Sequence, residues 1–472
     1  MNNNTNPFNV KFEQVFMTKF SGQDRMNITP QVMEFTLYQT IFDNLIKADM
    51  VIGDAIGLMN NYPLTGEETI DVAISYNDKE GNKSVKTLKF VVTGIRGIRA
   101  DDQARSAVFA FDLASIEAFI NAKSRVSHAY NDTIENMIKE VYQTYVAGRL
   151  RNGERPKPLS IIQDTTKITK LVIPNIKPFE AINWLCKYAI SSQPDLYYTH
   201  IFYETLEGFQ FKPLQRKTYQ GVQDQQAVNE CIKSRFIYIS NFENFKKDQA
   251  NYNAFLQSGY DDARLINDVV INKRYSAMEK IVGGYFENEL VEVNNLQRDY
   301  RITYTSLKTD GSFNTLYPTG VYDYPEYIQN VINEYTTPES SARIRYIINS
   351  YDDVNQPSFR DKFGKSSMSF LAFQQVDLSV AVTSDLNIRP GDIIWIDFPK
   401  LHGFNINEID LYISGLFIVS EMKTTMTVGG RSQTYLRVNK DSWGRKLNIK
   451  SDYALESNPL VPPIPDPNLP LT

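Results

Sequence analysis

The chain has 472 residues, long enough for about three domains of ordinary size, each with its own core. Hydrophobic residues make up 42% and charged residues 22%, and 50 basic against 55 acidic side chains leave a net charge of -5 with no block of like charge. That balance disfavours stable binding of nucleic-acid phosphates, and no run reaches the roughly 18 apolar residues that span a bilayer.

The N-terminal MNNNTNPFNV has neither a basic start nor an apolar run, so no signal peptide is expected and the chain is expected to fold in a reducing cytosol. Cys186 and Cys231 lie in unlike contexts, which argues against a disulfide framework. In YPLTGEETIDVAISY, Ile70, Val72, Ile74 and Tyr76 alternate with Thr69, Asp71, Ala73 and Ser75, the period of a half-buried strand. The turn cluster NDKEGN follows, then a returning strand from Leu88, the polar loop ADDQARS and a third alternating strand, AVFAFDL. Residues 30 to 115 therefore read as a small antiparallel sheet or barrel.

The period then changes. Ile134, Met137, Ile138, Val141, Tyr142 and Tyr145 share one helical face, with Asp132 and Glu135 placed as a capping box and Gly148 as the stop. After the polar link RNGERPKP, a second helix is expected from Pro178, with Phe179, Ile182, Leu185, Cys186 and Ala189 inward. LYYTHIFYETLEGFQFKPL reads as an aromatic hairpin. Residues 241 to 360 carry short strand-like pieces among Asn, Asp and Tyr and are expected to form an insertion. Strands return in FQQVDLSVAVTSDL, RPGDIIWIDFP, LYISGLFIVSEM and SQTYLRVNKDS, and the terminal ESNPLVPPIPDPNLPLT, with six prolines, reads as an extended arm.

Two stretches repeat in order. Gly66-Glu67, a strand, a Gly-interrupted strand around Gly94, a loop and a strand ending at Ser115 are matched by Gly391-Asp392, a strand, a Gly-interrupted strand around Gly415, a loop with Gly429-Gly430 and a strand ending near Ser442.

Candidate chemistry is sparse. Glu67, Glu68 and Asp71 crowd one short span, but catalytic carboxylates of glycosidases need a cleft and a separation of about 5 to 9.5 Å. Adjacent strand residues point to opposite faces, so these read as a turn and a solvent face. FGKSS at 363 to 367 resembles the end of a phosphate loop, yet Phe359 stands where its first Gly belongs. His128, His200 and His402 are isolated from one another, Cys186 falls on an inward helix face, and the pairs Asp101-Asp102, Asp261-Asp262 and Asp352-Asp353 match no calcium loop. Catalytic, cofactor-binding and metal-binding residues are therefore assigned to none, and no cofactor is expected.

The ordered series GLMNNYPLTGEETIDVAI, FDLASIEAFINAKSRVSHAYNDTIENMIKEVY, LVIPNIKPFEAINWLCKYAI, YYTHIFYETLEGFQFKPL, RPGDIIWIDFP and YISGLFIVSEM, ending in YLRVNKDSWG, resembles the baseplate hub proteins of contractile-tailed bacteriophages. PNIKPFEAINWL and IFYETLEGFQF are its most telling parts, and the similarity runs through most of residues 30 to 445. The resemblance implies an α+β, mainly β protein with two tail-tube-like antiparallel β-barrel domains, a small helical domain and an inserted domain. The expected divisions are 1–120 for the first tube-like barrel, 121–215 for the helical domain with the aromatic hairpin, 216–240 with 361–450 for the second barrel, 241–360 for the insertion and 451–472 for the arm. It further implies a homotrimer whose six barrels form a pseudo-sixfold ring between a hexameric tail tube protein and a trimeric central spike protein. Other baseplate proteins, wedge or tube initiator, would be neighbours, DNA would pass through the lumen without stable binding, and the protein would sit in the virion after assembly in the host cytoplasm. Neither membrane insertion nor enzymatic activity is implied. The alternatives are a tail-associated cell-wall hydrolase and the hub of a contractile injection or secretion device.

Overall fold

The computed structural model describes residues 10–19, 25–58, 68–77, 81–100, 107–150, 154–161, 168–189, 199–214, 232–239, 264–274, 287–294, 298–306, 344–349, 376–398, 413–428 and 432–440, with isolated positions between them. The first part of the chain is strand after strand: β1 (Lys11–Thr18), β2 (Arg25–Asn27), β3 (Val32–Thr40), β4 (Lys47–Asp54), β5 (Thr69–Asn77), β6 (Lys83–Ala100) and β7 (Ala107–Ser115). The alternation read in the sequence holds through Ile74, with Ile70, Val72 and Ile74 of β5 buried, and then breaks: Ser75, expected outward, is buried and donates to Glu13 of β1, while Tyr76 is half-buried. These strands pair antiparallel in the order β3-β4-β7-β6-β5-β1-β2.

The helical unit follows as α1 (Glu117–Lys123), β8 (Val126–Thr133), α2 (Ile134–Tyr145), β9 (Leu159–Ile161), β10 (Ile168–Ile176), α3 (Pro178–Tyr188), β11 (His200–Thr205) and β12 (Gly208–Pro213). Met137, Ile138 and Val141 of α2 meet Phe179, Ile182 and Leu185 of α3 in a separate core, roofed by the hairpin β11–β12. Phe202 and Phe209 stack there at 5.3 Å between centroids. The expected capping box at α2 does not form. Asp132 lies in β8, and its Oδ1 accepts from the Thr133 backbone N–H and the Asn136 side chain, while Glu135 turns away to accept the Thr165 backbone N–H at 3.0 Å. At α3, Pro178 does open the helix, and Glu180 accepts the Lys177 N–H at 3.3 Å.

Six later strands close into a barrel: β13 (Ile232–Tyr238), β14 (Leu265–Arg274), β18 (Val376–Thr383), β19 (Ile393–Asp397), β20 (Gly415–Thr427) and β21 (Ser432–Lys440). Between β14 and β18, the strands β15 (Glu287–Asn294), β16 (Asp299–Ser306) and β17 (Ile344–Asn349) make a sheet of their own. The region expected as an insertion thus supplies β14 to the barrel as well as this small sheet.

The internal repeat extends strand for strand. In chain order β1, β3, β4, β5, β6 and β7 correspond to β13, β14, β18, β19, β20 and β21, and the sheet order β3-β4-β7-β6-β5-β1 maps onto β14-β18-β21-β20-β19-β13. Even the irregularities coincide. β6 bulges between Val92 and Gly94 and β20 between Val419 and Glu421. The N–H of Val92 donates to the Glu68 carbonyl and that of Val419 to the Asp392 carbonyl, each at 3.0 Å. One difference is topological: β13 runs parallel to β19 and closes onto β14, whereas β1 runs antiparallel to β5 and carries β2 on its other side. The first unit, expected as the first of two barrels, is accordingly an open sheet among the described residues.

Both units share one apolar core, from Phe35, Phe90 and Phe111 on one side to Phe236, Ile394 and Phe417 on the other. The reason is a seam: β20 pairs with β3, which joins all these strands and β2 into a single 13-stranded sheet.

Candidate assembly surface

The residues that sequence reading weighed for catalysis are dispersed through this framework. Glu68 is 1% exposed and caps a turn, its carboxylate accepting the backbone N–H groups of Thr65 at 2.8 Å and Gly66 at 2.9 Å. Its counterpart Asp392 accepts the Arg389 N–H at 3.1 Å, so the acidic residue ahead of each strand serves the same turn. Burial holds the Asp392 carboxyl above the ordinary range, against the opposing pull of Lys212. Asp71 faces outward and pairs with Arg25 at 3.8 Å. His128 meets the Tyr130 ring edge-on, His200 is buried and stacked on Phe211, and Cys186 is buried on α3. Glu67, His402, Cys231, Phe359, Gly364, Gly429, Gly430, the three Asp pairs and the Pro-rich arm lie outside the described residues. Among the described residues no three His, Cys, Asp or Glu side chains gather to hold a metal, and no helix is long and apolar enough to cross a membrane.

What the structure does bring together is the seam. β20 first pairs with β19 from Gly415 to Ile418, then releases it and pairs with β3 from Glu421↔Thr40 to Thr427↔Glu34. The Ser420 bulge makes this switch possible, because an extra residue bends the strand and re-aims its edge. On the core side Phe35 and Leu37 pack with Met422 and Met426, all buried. On the other side Thr36 and Thr425 share a hydrogen bond at 3.2 Å, and the Lys423 ammonium lies 5.9 Å above the Tyr38 ring. A cleft of about 940 Å³ opens on this face, lined by Tyr38, Lys423, Glu421, Arg437, Ser379 and Asn272.

That polar face runs across the seam as one ladder. Asn272 of β14 donates to Asp377 and to Ser379. Arg437 then bridges Asp377 at 2.6 Å and Glu421 at 3.1 Å. Tyr38 donates to Asp49, and Arg96 of β6 joins Asp49 at 2.7 Å to Asp112. Burial, with the neighbouring Asp49 carboxylate, pushes the Tyr38 hydroxyl up to about 12, so it remains a donor. Each arginine of the ladder sits between two carboxylates, which leaves the face without a basic excess.

Two buried contacts fix the helical unit to the sheets. Lys157 reaches Glu117 and Glu204, each at 2.6 Å, and Glu204 also accepts from the Ile46 N–H at 2.9 Å and the Ser115 hydroxyl at 2.7 Å. Burial raises the Glu204 carboxyl, partly offset by Lys157. Burial alone would lower the Lys157 ammonium, but Glu204 and Glu117 together outweigh it and hold it above its ordinary value. On the barrel side the Tyr203 hydroxyl donates to the Pro390 carbonyl at 3.1 Å and Lys212 to the Gly391 carbonyl at 3.1 Å. Sequence reading missed both junctions and the seam, since partners from 40 to 389 residues apart leave no local pattern.

No protein-family model matches the sequence, and no curated protein matches it. Solved structures do. The chain is similar to the tail protein from Neisseria meningitidis, with 11% identity and a TM-score of 0.51 over 91% of this chain and 98% of that one. It is also similar to a prophage 43 kDa tail protein from Shewanella oneidensis, with 9% identity and a TM-score of 0.47 over 91% and 98%. A prophage tail protein from Listeria monocytogenes matches at 9% identity and a TM-score of 0.44 over 93% and 97%. The fold assignment rests on the first of these: the chain has the fold of a tail protein over nine-tenths of its length.

Proposed function

Starting from a tail-protein fold, we propose that this chain is a structural baseplate hub of a phage tail, without enzymatic activity. Three copies, each with two similar β units, form a pseudo-sixfold ring that meets a hexameric tail tube on one side and a trimeric spike on the other. The observation that carries this reading is the strand-for-strand duplication joined edge to edge by the β20–β3 seam. A sixfold partner needs six similar surfaces and a threefold partner three, and a chain holding two similar but unequal units supplies both when tripled.

The polar ladder fits the wall of a passage for DNA. Its cations are matched by carboxylates, so a sliding phosphate backbone meets no net positive field to hold it. We assign the first tube-like unit to 1–120, the helical unit to 121–215, the second tube-like unit to 216–240 with 361–450 and the strand β14, the insertion to the remainder of 241–360 and the arm to 451–472. The arm is proposed to run along a neighbouring baseplate protein, and the assembled particle is the virion tail.

Native mass spectrometry of the purified full chain tests the reading, with a trimer expected and negative-stain images of a ring with a central hole. A monomer that clears a suspension of bacterial cell walls would replace the hub by the hydrolase alternative.

A further inference from the structure

A second cleft, of about 470 Å³, opens where the units of the chain meet. Its walls come from residues 86–90 of β6, the start of α1, the connection after α2 and the turn between β11 and β12. Half-buried Leu88, Ile116, Leu150 and Leu206 give it an apolar side, and charged side chains crowd the rest. The four carboxylates that line it are all engaged: Lys89 holds Glu154 at 2.6 Å, Lys157 holds Glu117 and Glu204, and Arg389 of the barrel grips Glu207. Lys86 and Arg155 are left over, with neither an ion pair nor a hydrogen bond among the described residues.

An unpaired lysine in open water is ordinary, but Lys86 is not in open water. It stands opposite Ile74 of β5 and, by strand alternation, shares with Leu88 and Phe90 the face of β6 that turns to the core. Half-buried there, its ammonium gives up hydration with no carboxylate in contact to replace it, a cost that charge pairing normally offsets. Burial accordingly holds it below its ordinary value, with Glu207 opposing and Arg389 reinforcing the effect. With Arg389 included, five cations face four carboxylates around this cleft, whereas each arginine of the polar ladder sits between two. We propose that the cleft is a binding site for a small organic anion, whose carboxylate or phosphate head is held by Lys86 and Arg155 while its apolar body lies against Leu88 and Leu206.

Size and lining both suit a small molecule. Clefts that hold one typically measure about 300–1,000 Å³ and combine apolar walls with a few convergent polar groups. A guanidinium offers a planar fork and an ammonium a point charge, and together they suit a carboxylate or phosphate. Lys86 belongs to the first sheet and Arg155 to the connection between α2 and β9, so an anion touching both ties the helical unit to that sheet. It would reinforce the junction that Lys157 already makes with Glu117 and Glu204. The cleft shares no lining residue with the one at the β20–β3 seam, so the proposal stands independently of the hub reading.

The test is calorimetric titration of the full chain with phenyl phosphate, run beside phenol and inorganic phosphate. Phenyl phosphate should bind saturably at a single site per chain, phenol should not bind, and inorganic phosphate should bind more weakly because only a head is seated. Lys86→Met and Arg155→Met should each weaken phenyl phosphate by about ten- to a hundredfold. Their far-ultraviolet circular dichroism should be unchanged, since neither side chain has a bond to lose. Lys86→Arg, which keeps the charge, should retain most of the affinity. Acylation by an amine-reactive ester, read by peptide mass spectrometry, places the site: Lys86 should be labelled in the free chain and protected by phenyl phosphate. Absence of saturable binding at millimolar phenyl phosphate would overturn the proposal, and so would binding that survives both substitutions and leaves Lys86 open to labelling.

Discussion

Single residues in this protein act as fasteners rather than reagents, and Glu68 illustrates it. Sequence reading assigned the carboxylates around it to a turn and a solvent face, and what escaped it was how deeply Glu68 is buried, because turn chemistry is legible but burial depends on strands far away. Glu68→Ala leaves the N–H groups of Thr65 and Gly66 without their acceptor, so about 1–3 kcal/mol of stability should be lost, read as a lowered urea midpoint. Glu204 offers a pH readout. Its carboxyl is raised in the fold by burial, so its contribution is full below the ordinary carboxylate pKa and is lost as pH rises through the folded value. Urea unfolding of wild type and Glu204→Gln should therefore show the wild-type advantage shrinking between pH 4 and pH 7, whereas a constant or growing gap would contradict the raised carboxyl.

Among elements, the ones with a strong period were legible: β5, β7, α2, α3 and the aromatic hairpin all occur where alternation or helical spacing places them. The capping box was not, because Asp132 satisfies β8 and its own turn before the helix begins, and strand pairing with β10 decides its conformation. Phe209 binds the hairpin to both helices' core, stacked with Phe202 and 5.7 Å from Phe179. Phe209→Ala should cost about 3–5 kcal/mol and loosen the helical unit first, seen as lost near-ultraviolet circular dichroism ahead of the sheet's unfolding. Gly391 holds the other junction. It has a φ of 81°, and a Cβ there would collide with the Tyr203 hydroxyl and the Lys212 ammonium. Gly391→Ala should weaken the hairpin's hold on the barrel and lower the thermal midpoint by several degrees.

For the whole molecule, the duplication was visible in the sequence as a matching order of glycines, acidic turns and strands, but its geometry was not. A seam between residues almost 390 positions apart has no sequence period, and closure of one unit but not the other depends on whether its first strand runs parallel or antiparallel to its neighbour. The closed unit carries its own consequence. Among the described residues its ring of strands is completed at β13 and β14 by two residue pairs, Ile237↔Leu265 and Tyr238↔Ile266, against seven at the seam. A hoop gives way at its shortest overlap, and amide protons of Leu265 and Ile266 should exchange with deuterium well before those of Thr424 and Thr425. The barrel can thus be sprung open like a clasp and resealed without disturbing the sheet that links it to the rest of the chain.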